Sequence, residues 1–354
     1  MTDTTPRTVH AYAASEPHGQ FKQWEYVSRP LGPEDVEIKI SHCGICGSDV
    51  HTLDSGWGPT EYPVVTGHEI VGEVTLAGSE VTDLAVGDRV GVGAMVWACL
   101  NKDPAEPCEL CAAGADSYCP HMVFTYNAQY KDGSQAYGGY ADYVRVSSHY
   151  TFKIPENIPS DVAAPLLCAG VTVFAPLKHE HVQPGDRVGV IGIGGLGHLA
   201  IQFIRAMGAT PVAFSRSANK EKEVRALGAE EFYNLTDPVD QEKAKKSVNK
   251  LLLTADAQNM PYNMYLSLLR PLGTLIMLGL PNDDVKFKPF FVVGNGNRVV
   301  GSLIGSAQDV KDMLALAAAK NVRPIIQKLP MSKVNDGIAM MRSGKVRYRV
   351  VLEN

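Results

Sequence analysis

Over residues 188–200 the chain reads VGVIGIGGLGHLA: a β-type run, a glycine turn and the opening of a helix. Gly192, Gly194 and Gly197 stand in the order G-x-G-x-x-G, with Gly195 and Leu196 between the last two. A strand that releases through such a turn straight into a helix belongs to a parallel sheet covered by helices. Glycine clusters recur by chance, but the strand before and the amphipathic helix after are the context that a dinucleotide-binding turn requires. There a pyrophosphate approaches a helix N-terminus closely, where unpaired N–H groups and the helix dipole favour anions. The bland alternative is a tight strand-to-helix turn with no ligand.

The flanking text repeats the alternation. Leu196, Leu199, Ala200, Phe203, Ile204 and Met207 fall on one helix face at three-to-four spacing, and Gly208 stops the helix. TPVAF predicts the next strand, ANKEKEVRALG the next helix and EEFYNL a short strand; YNMYLSLLRPLG and TLIMLGL repeat helix then strand. Strands apolar on both faces predict a doubly wound parallel sheet in an α/β protein. The pattern is weak over 235–262, where a fourth sheet strand at 251–253 is the one strand read. The tail predicts helix, strand, helix and a final strand.

The first half reads differently. From about residue 8 to 155, runs such as DVEIKI and HEIVGEVTLAG alternate with period two, and Gly or Pro punctuates every eight to twelve residues. That spacing suits a small irregular barrel. A chain of 354 residues holds two sizeable cores. Net charge is −5 with no long basic run, which points away from nucleic acid and membrane surfaces. The opening MTDTTPRTVHAYAA lacks a basic-then-apolar leader, so a cytoplasmic, unprocessed chain is expected. Two long uncharged stretches, VAAPLLCAGVTVFAPL and VGVIGIGGLGHLAIQFI, are broken by Pro165, Gly170 and Pro176 or by glycines. A lipid span needs about 20 mostly apolar residues, so both read as buried core.

Seven cysteines without a leader suggest metal rather than disulfides. Cys99-x8-Cys108-x2-Cys111-x7-Cys119 supplies four thiolates close in sequence, enough to fill a tetrahedral structural zinc shell. The competing reading is a set of reduced thiols. In SHCGICGSDVH, over 41–51, Cys46 need not pair with Cys43, because Cys168 and the GHE of His68 and Glu69 offer further ligands. Two cysteines, one histidine and an open fourth position describe a catalytic zinc. Cys43 points the opposite way in an extended segment and reads as a core thiol. At the end of the second sheet strand, where Asp or Glu would hold an NAD ribose, stand Ser215, Arg216, Ser217 and Lys220. Hydroxyls and an Arg fork suit a 2′-phosphate, so NADP(H) is expected.

In this combination the chain resembles the zinc-dependent medium-chain alcohol dehydrogenases, in the cinnamyl alcohol dehydrogenase-like branch that includes fungal NADPH-dependent enzymes. The matching stretches include CGICGSDVH, PVVTGHEIVGEV, the four-cysteine lobe, GGYADYVRV, AAPLLCAGVTVFAPL and GKVRYRVVLE, which keep the family's order along almost the whole chain. The resemblance implies a GroES-like catalytic domain over 1–160 with a structural-zinc lobe at about 95–122. It further implies a Rossmann domain over 161–298 and a segment over 299–354 that completes the catalytic domain. By position it makes Cys46, His68 and Cys168 the catalytic zinc ligands, with Glu69 beside the metal as an exchangeable ligand. Asp49 orients the ligand histidine, Ser48 and His51 form a proton relay, and Thr172 lies near the nicotinamide. A homodimer is implied in the same way. Two departures stand out: the first gap of the lobe is eight residues where two are usual, and Gly47 replaces the customary His or Arg.

The expected reaction is reversible hydride transfer between NADP(H) and a primary alcohol or aldehyde, aromatic or medium-chain. Trp57, Tyr62, Met95 and Trp97 either line an aromatic pocket or belong to the core. His42, His121, His149, His179, His181 and His198 lack ligand spacing and read mostly as surface or capping residues. Rivals are an NAD-dependent polyol or formaldehyde dehydrogenase and, from another class, a non-catalytic NADPH sensor.

Overall fold

In a computed structural model, which describes residues 4–282 and 284–354, the chain forms two compact units. The first three residues of the N-terminal stretch read above lie outside the described residues. One unit comprises the chain up to Cys168 with Ser306–Ala318 and Pro324–Asn354; the other comprises Ala169–Gly305 with Ala319–Arg323. The first junction thus follows Cys168 rather than residue 160. The second follows Gly305 rather than residue 298, because Arg298–Gly301 is still a strand of the parallel sheet.

The first unit is built on a seven-stranded sheet. Its spine is Asp35–Ile45, flanked by Ile70–Ala77 on one side and Arg349–Glu353 on the other, both antiparallel to it. Val36, Ile38, Ile40, Cys43 and Ile45 enter the core. Strict alternation predicts Glu37 in water, yet it is buried, because Arg145 on Tyr143–Ser147 stands directly opposite and bonds it at 2.8 Å. The guanidinium also donates to the carbonyls of Thr5 (2.8 Å) and Arg29 (3.0 Å), so its remaining donors are satisfied. Antiparallel pairing has a consequence for chemistry. Cys46, just past the end of one strand, and His68–Glu69, just before the start of its neighbour, emerge at the same edge.

The second unit is the six-stranded parallel sheet. Its order is Glu231–Asn234, Thr210–Ser215, Arg187–Ile191, Val248–Leu253, Leu269–Met277, Arg298–Gly301. Numbered along the chain this is 3-2-1-4-5-6, the dinucleotide-binding arrangement whose order reverses between the first and fourth strands. The strand expected at 251–253 is present and longer, and a helix at Pro238–Ala244 precedes it. The helix expected over YNMYLSLLRPLG stops at Leu268, and strand begins at Leu269. Pro271 explains the change, since the residue before a proline prefers extended backbone.

Among the described residues one helix, Ser160–His179, is long and apolar enough to cross a membrane by length and composition, and 78% of its most apolar stretch is buried inside the protein. Pro165, Gly170 and Pro176 do not break it, contrary to the sequence expectation. The helix instead widens into a π-turn over Leu166–Gly170, which carries Cys168.

Candidate active site

Cys46 precedes the helix Gly47–Leu53, and its N–H donates to Asp49 Oδ2 at 2.7 Å, closing the first turn. Asp49 Oδ1 accepts from the Gly67 N–H at 2.9 Å and lies 3.2 Å from His68 Nδ1. This fixes the ring so that Nε2 faces Cys168 Sγ at 3.0 Å, while Cys46 Sγ stands 3.9 Å from Cys168 Sγ. Two sulfurs each ~2.3 Å from a tetrahedral zinc would stand about 3.8 Å apart. Ligand atoms of Cys46, His68, Glu69 and Cys168 all lie within 4.8 Å of one another, and all four residues are buried.

The charges fit a cation. Glu69 Oε1 bonds Arg349, but Oε2 is buried with no hydrogen-bond partner among the described residues. Burial pushes the Glu69 carboxyl up to about 8, against the pull of Arg349. The hydrogen bond with Cys168 holds the Cys46 thiol well below the usual thiol range, with help from Arg349 and His68 against burial. Cys168 is pushed up by the same bond and by burial. Burial opposes a charged His68, yet Asp49 and Cys46 outweigh it and raise the imidazole. A thiolate, an orienting carboxylate behind the histidine and an unsatisfied carboxylate oxygen form a donor set suited to zinc.

Two residues of this centre escaped the sequence reading. Tyr126 OH lies 2.9 Å from His68 Nδ1, and Arg349 backs Glu69. Tyr126 carries no motif. Arg349 is followed by the apolar run Val350–Leu352 in its strand and is itself buried, and a charge opening that run was the available signal. Gly44 leaves room for Glu69, since a Cβ there would meet the Glu69 Cβ at 2.9 Å.

The four cysteines of the lobe also converge, with ligand sulfurs within 4.8 Å of one another. Cys99 Sγ is 3.6 Å from Cys111 and 3.5 Å from Cys119. The long first gap closes because Leu100 and Asn101 take left-handed backbone and Asn101 Oδ1 accepts from the Cys108 N–H at 2.8 Å. This is a closed structural zinc site, with Cys99 a full member.

Ser48 Oγ lies 3.7 Å from Cys46 Sγ, and His51 follows at i+3 on the same helix face. The His51 ring stacks on Trp57, which is 46% exposed. Met95 is buried in the strand Met95–Trp97, and Tyr62 OH donates to the Leu53 carbonyl at 2.8 Å. Cys43 is a buried core thiol, as read from its strand.

In the second unit the glycine loop follows Arg187–Ile191 at the point where strand order reverses. Gly192 has φ 93°, and a Cβ on it would meet Ala255 Cβ at 2.9 Å; a Cβ on Gly197 would collide with the Gly192 carbonyl. Gly194 has open space around it. Gly195 and Leu196 complete the turn into the helix Gly197–Ala206. His198, expected near the surface, is buried and donates from Nδ1 to the Gly194 carbonyl at 3.0 Å. Ser215 Oγ accepts from the Ser217 N–H at 3.2 Å, Arg216 is exposed, and Lys220 Nζ donates to the Ile193 carbonyl at 2.7 Å. Thr172 is half-buried in Val171–His179.

Comparison with known proteins agrees with both units. Residues 32–156 match the alcohol dehydrogenase GroES-like domain and residues 195–319 the zinc-binding dehydrogenase domain. The chain is 38% identical over 350 residues to vomilenine reductase from Rauvolfia serpentina, covering 98% of this chain and 95% of that protein. It is 40% identical over 348 residues to NADP-dependent alcohol dehydrogenase C 1 from Mycolicibacterium smegmatis, covering 98% of each. A solved cinnamyl alcohol dehydrogenase from Sorghum bicolor superposes with a TM-score of 0.92 at 36% identity, covering 98% of both chains. The chain belongs to the zinc-dependent medium-chain alcohol dehydrogenases, in their cinnamyl alcohol dehydrogenase-like branch.

Proposed function

We propose that this protein is an NADP(H)-dependent alcohol dehydrogenase that interconverts aldehydes and primary alcohols, aromatic or medium-chain. The observation that carries the reading is the convergence of Cys46, His68 and Cys168 on one point with a carboxylate beside them. Three protein ligands leave a fourth position for substrate. Bound there, zinc supplies a Lewis acid for the carbonyl oxygen, and NADPH supplies the hydride. Asp49 and Tyr126 hold the His68 ring. Ser48 Oγ gives a proton to the substrate oxygen on reduction, and the His51 imidazole, one helical turn on, restores it from solvent. Thr172 sits against the nicotinamide, and Trp57 and Met95 shape the substrate pocket.

The glycine loop, with Gly192, Gly194, Gly195, Leu196 and Gly197, holds the pyrophosphate. Ser215, Arg216, Ser217 and Lys220 take the 2′-phosphate. The absence of an acid at the end of Thr210–Ser215 and the similarity to an NADP-dependent relative support this choice. The test is a panel of cinnamaldehyde, benzaldehyde and short aliphatic aldehydes with both reduced cofactors. NADPH should exceed NADH by at least ~100-fold in kcat/KM, and Arg216→Ala should lower the NADPH value roughly 10- to 100-fold while sparing NADH. Preference for NADH would overturn the cofactor assignment.

A second copy of the chain is the partner that fits the edge strand Arg298–Gly301, which has a single neighbour in its sheet. Beside it Leu272, Phe290 and Val293 are exposed, and Leu272 N–H donates to the Asn295 carbonyl at 2.8 Å. Edges and apolar patches of this kind invite pairing. Phe290→Glu should shift the sedimentation coefficient from dimer to monomer; a wild-type monomer would refute the interface.

A further inference from the structure

The helix that carries Ser48 and His51 is followed by a turn that holds an aromatic ring over the histidine. The Trp57 indole lies flat on the His51 imidazole, with ring centroids 4.3 Å apart and planes within 11°. Several local features set up that contact. Ser55 takes left-handed backbone with φ 53°, and the Gly56 N–H donates back to the His51 carbonyl at 2.8 Å. Gly56 suits the tight return, since a Cβ there would stand 3.2 Å from His51 Nδ1. Gly58, with φ 152°, lets the chain leave again. Behind the turn, Tyr62 OH donates to the Leu53 carbonyl at 2.8 Å and Thr60 Oγ1 to the Thr52 carbonyl at 2.7 Å. The last carbonyls of the helix are therefore capped by the same segment that carries Trp57, which fixes the backbone from which the indole reaches His51.

We infer that Trp57 is a positioning residue for the proton relay: it holds the His51 ring in one plane, and that orientation lets the imidazole resupply Ser48. The inference rests on the reading of Ser48 and His51 as a relay. An imidazole has several staggered rotamers open to it, and proton transfer is sensitive to the orientation of the ring. Stacking against a rigid indole removes the alternatives at the cost of only two torsions on the partner. The geometry thereby gives this tryptophan a role beyond shaping the substrate pocket.

The test is a double-mutant cycle on the zinc-loaded full chain, read by single-turnover NADPH oxidation with cinnamaldehyde in H2O and D2O, with KM measured alongside. His51→Gln should slow turnover by at least about tenfold. Trp57→Leu, which removes the stacking face, should slow it roughly 5- to 20-fold and raise the solvent isotope effect, over and above any change in KM from the altered pocket wall. Trp57→Phe should restore most of the rate. In the His51→Gln background Trp57→Leu should have almost no further effect, because the group it positions is gone. Full additivity in that background, or an effect confined to KM, would overturn the inference while leaving the relay standing. A wild-type rate for His51→Gln would overturn the relay itself, and this inference with it.

Discussion

Cys46→Ser should leave the purified protein with one zinc per chain instead of two and reduce aldehyde reduction by more than ~10³-fold. The side chains differ little in size, and the backbone N–H that bonds Asp49 is kept, so the helix start survives. What is lost is the thiolate. In the native site Cys168 and Arg349 lower the Cys46 thiol well below its usual range, and serine has no comparable anion to offer a metal. Metal analysis by mass spectrometry and NADPH oxidation measured on one preparation check both halves. Retention of a tenth of the activity with a single zinc would show that the ion doing the chemistry lies elsewhere.

Cys99→Ser should do the opposite, taking the other zinc and most of the stability while chemistry persists in molecules that stay folded. The lobe has little else to hold it: its short helix Glu109–Ala112 buries no side chain. Zinc binding in such segments is largely folding free energy. Asp116, between Cys111 and Cys119, transmits the damage. Its Oδ2 accepts from Tyr150 OH at 3.0 Å and from the Ala307 N–H at 3.2 Å, so an unravelled lobe also uncaps the helix Ala307–Lys320. A fall in melting temperature of about 10 °C or more is expected by calorimetry, since a few kcal/mol moves a domain this size by that amount. An unchanged melting temperature with one zinc lost would sink the structural role.

These centres were legible where residue type carries the chemistry. Cys46, His68 and Cys168 announce themselves as soft and borderline ligands far apart in sequence, and the glycine turn declares its own geometry. Positions set by three-dimensional crowding were not legible. Arg349 reads as one more residue of a terminal strand, and nothing local says that Glu69 waits opposite. Pro165, Gly170 and Pro176 predict a broken segment because each weakens a lone helix. Burial inside the protein overrides that cost, and the resulting π-turn is what carries Cys168. Likewise Glu37 obeys the strand alternation and is nonetheless buried, because its partner Arg145 lies on a strand that local pattern cannot connect to it.

The pairing of Arg349–Glu353 with Asp35–Ile45 sets a timetable for the nascent chain. Arg349 leaves the ribosome 280 positions after Glu69, with the whole six-stranded sheet made in between. Until then the N-terminal barrel has an unfilled slot along its central strand, and the carboxylate at its metal centre lacks its counter-charge. Such long-range closure is slow and leaves a strand edge open to other chains. The Glu69–Arg349 pair is therefore among the most sequence-distant contacts of the metal centre, and zinc held before it forms would lack that counter-charge beside Glu69.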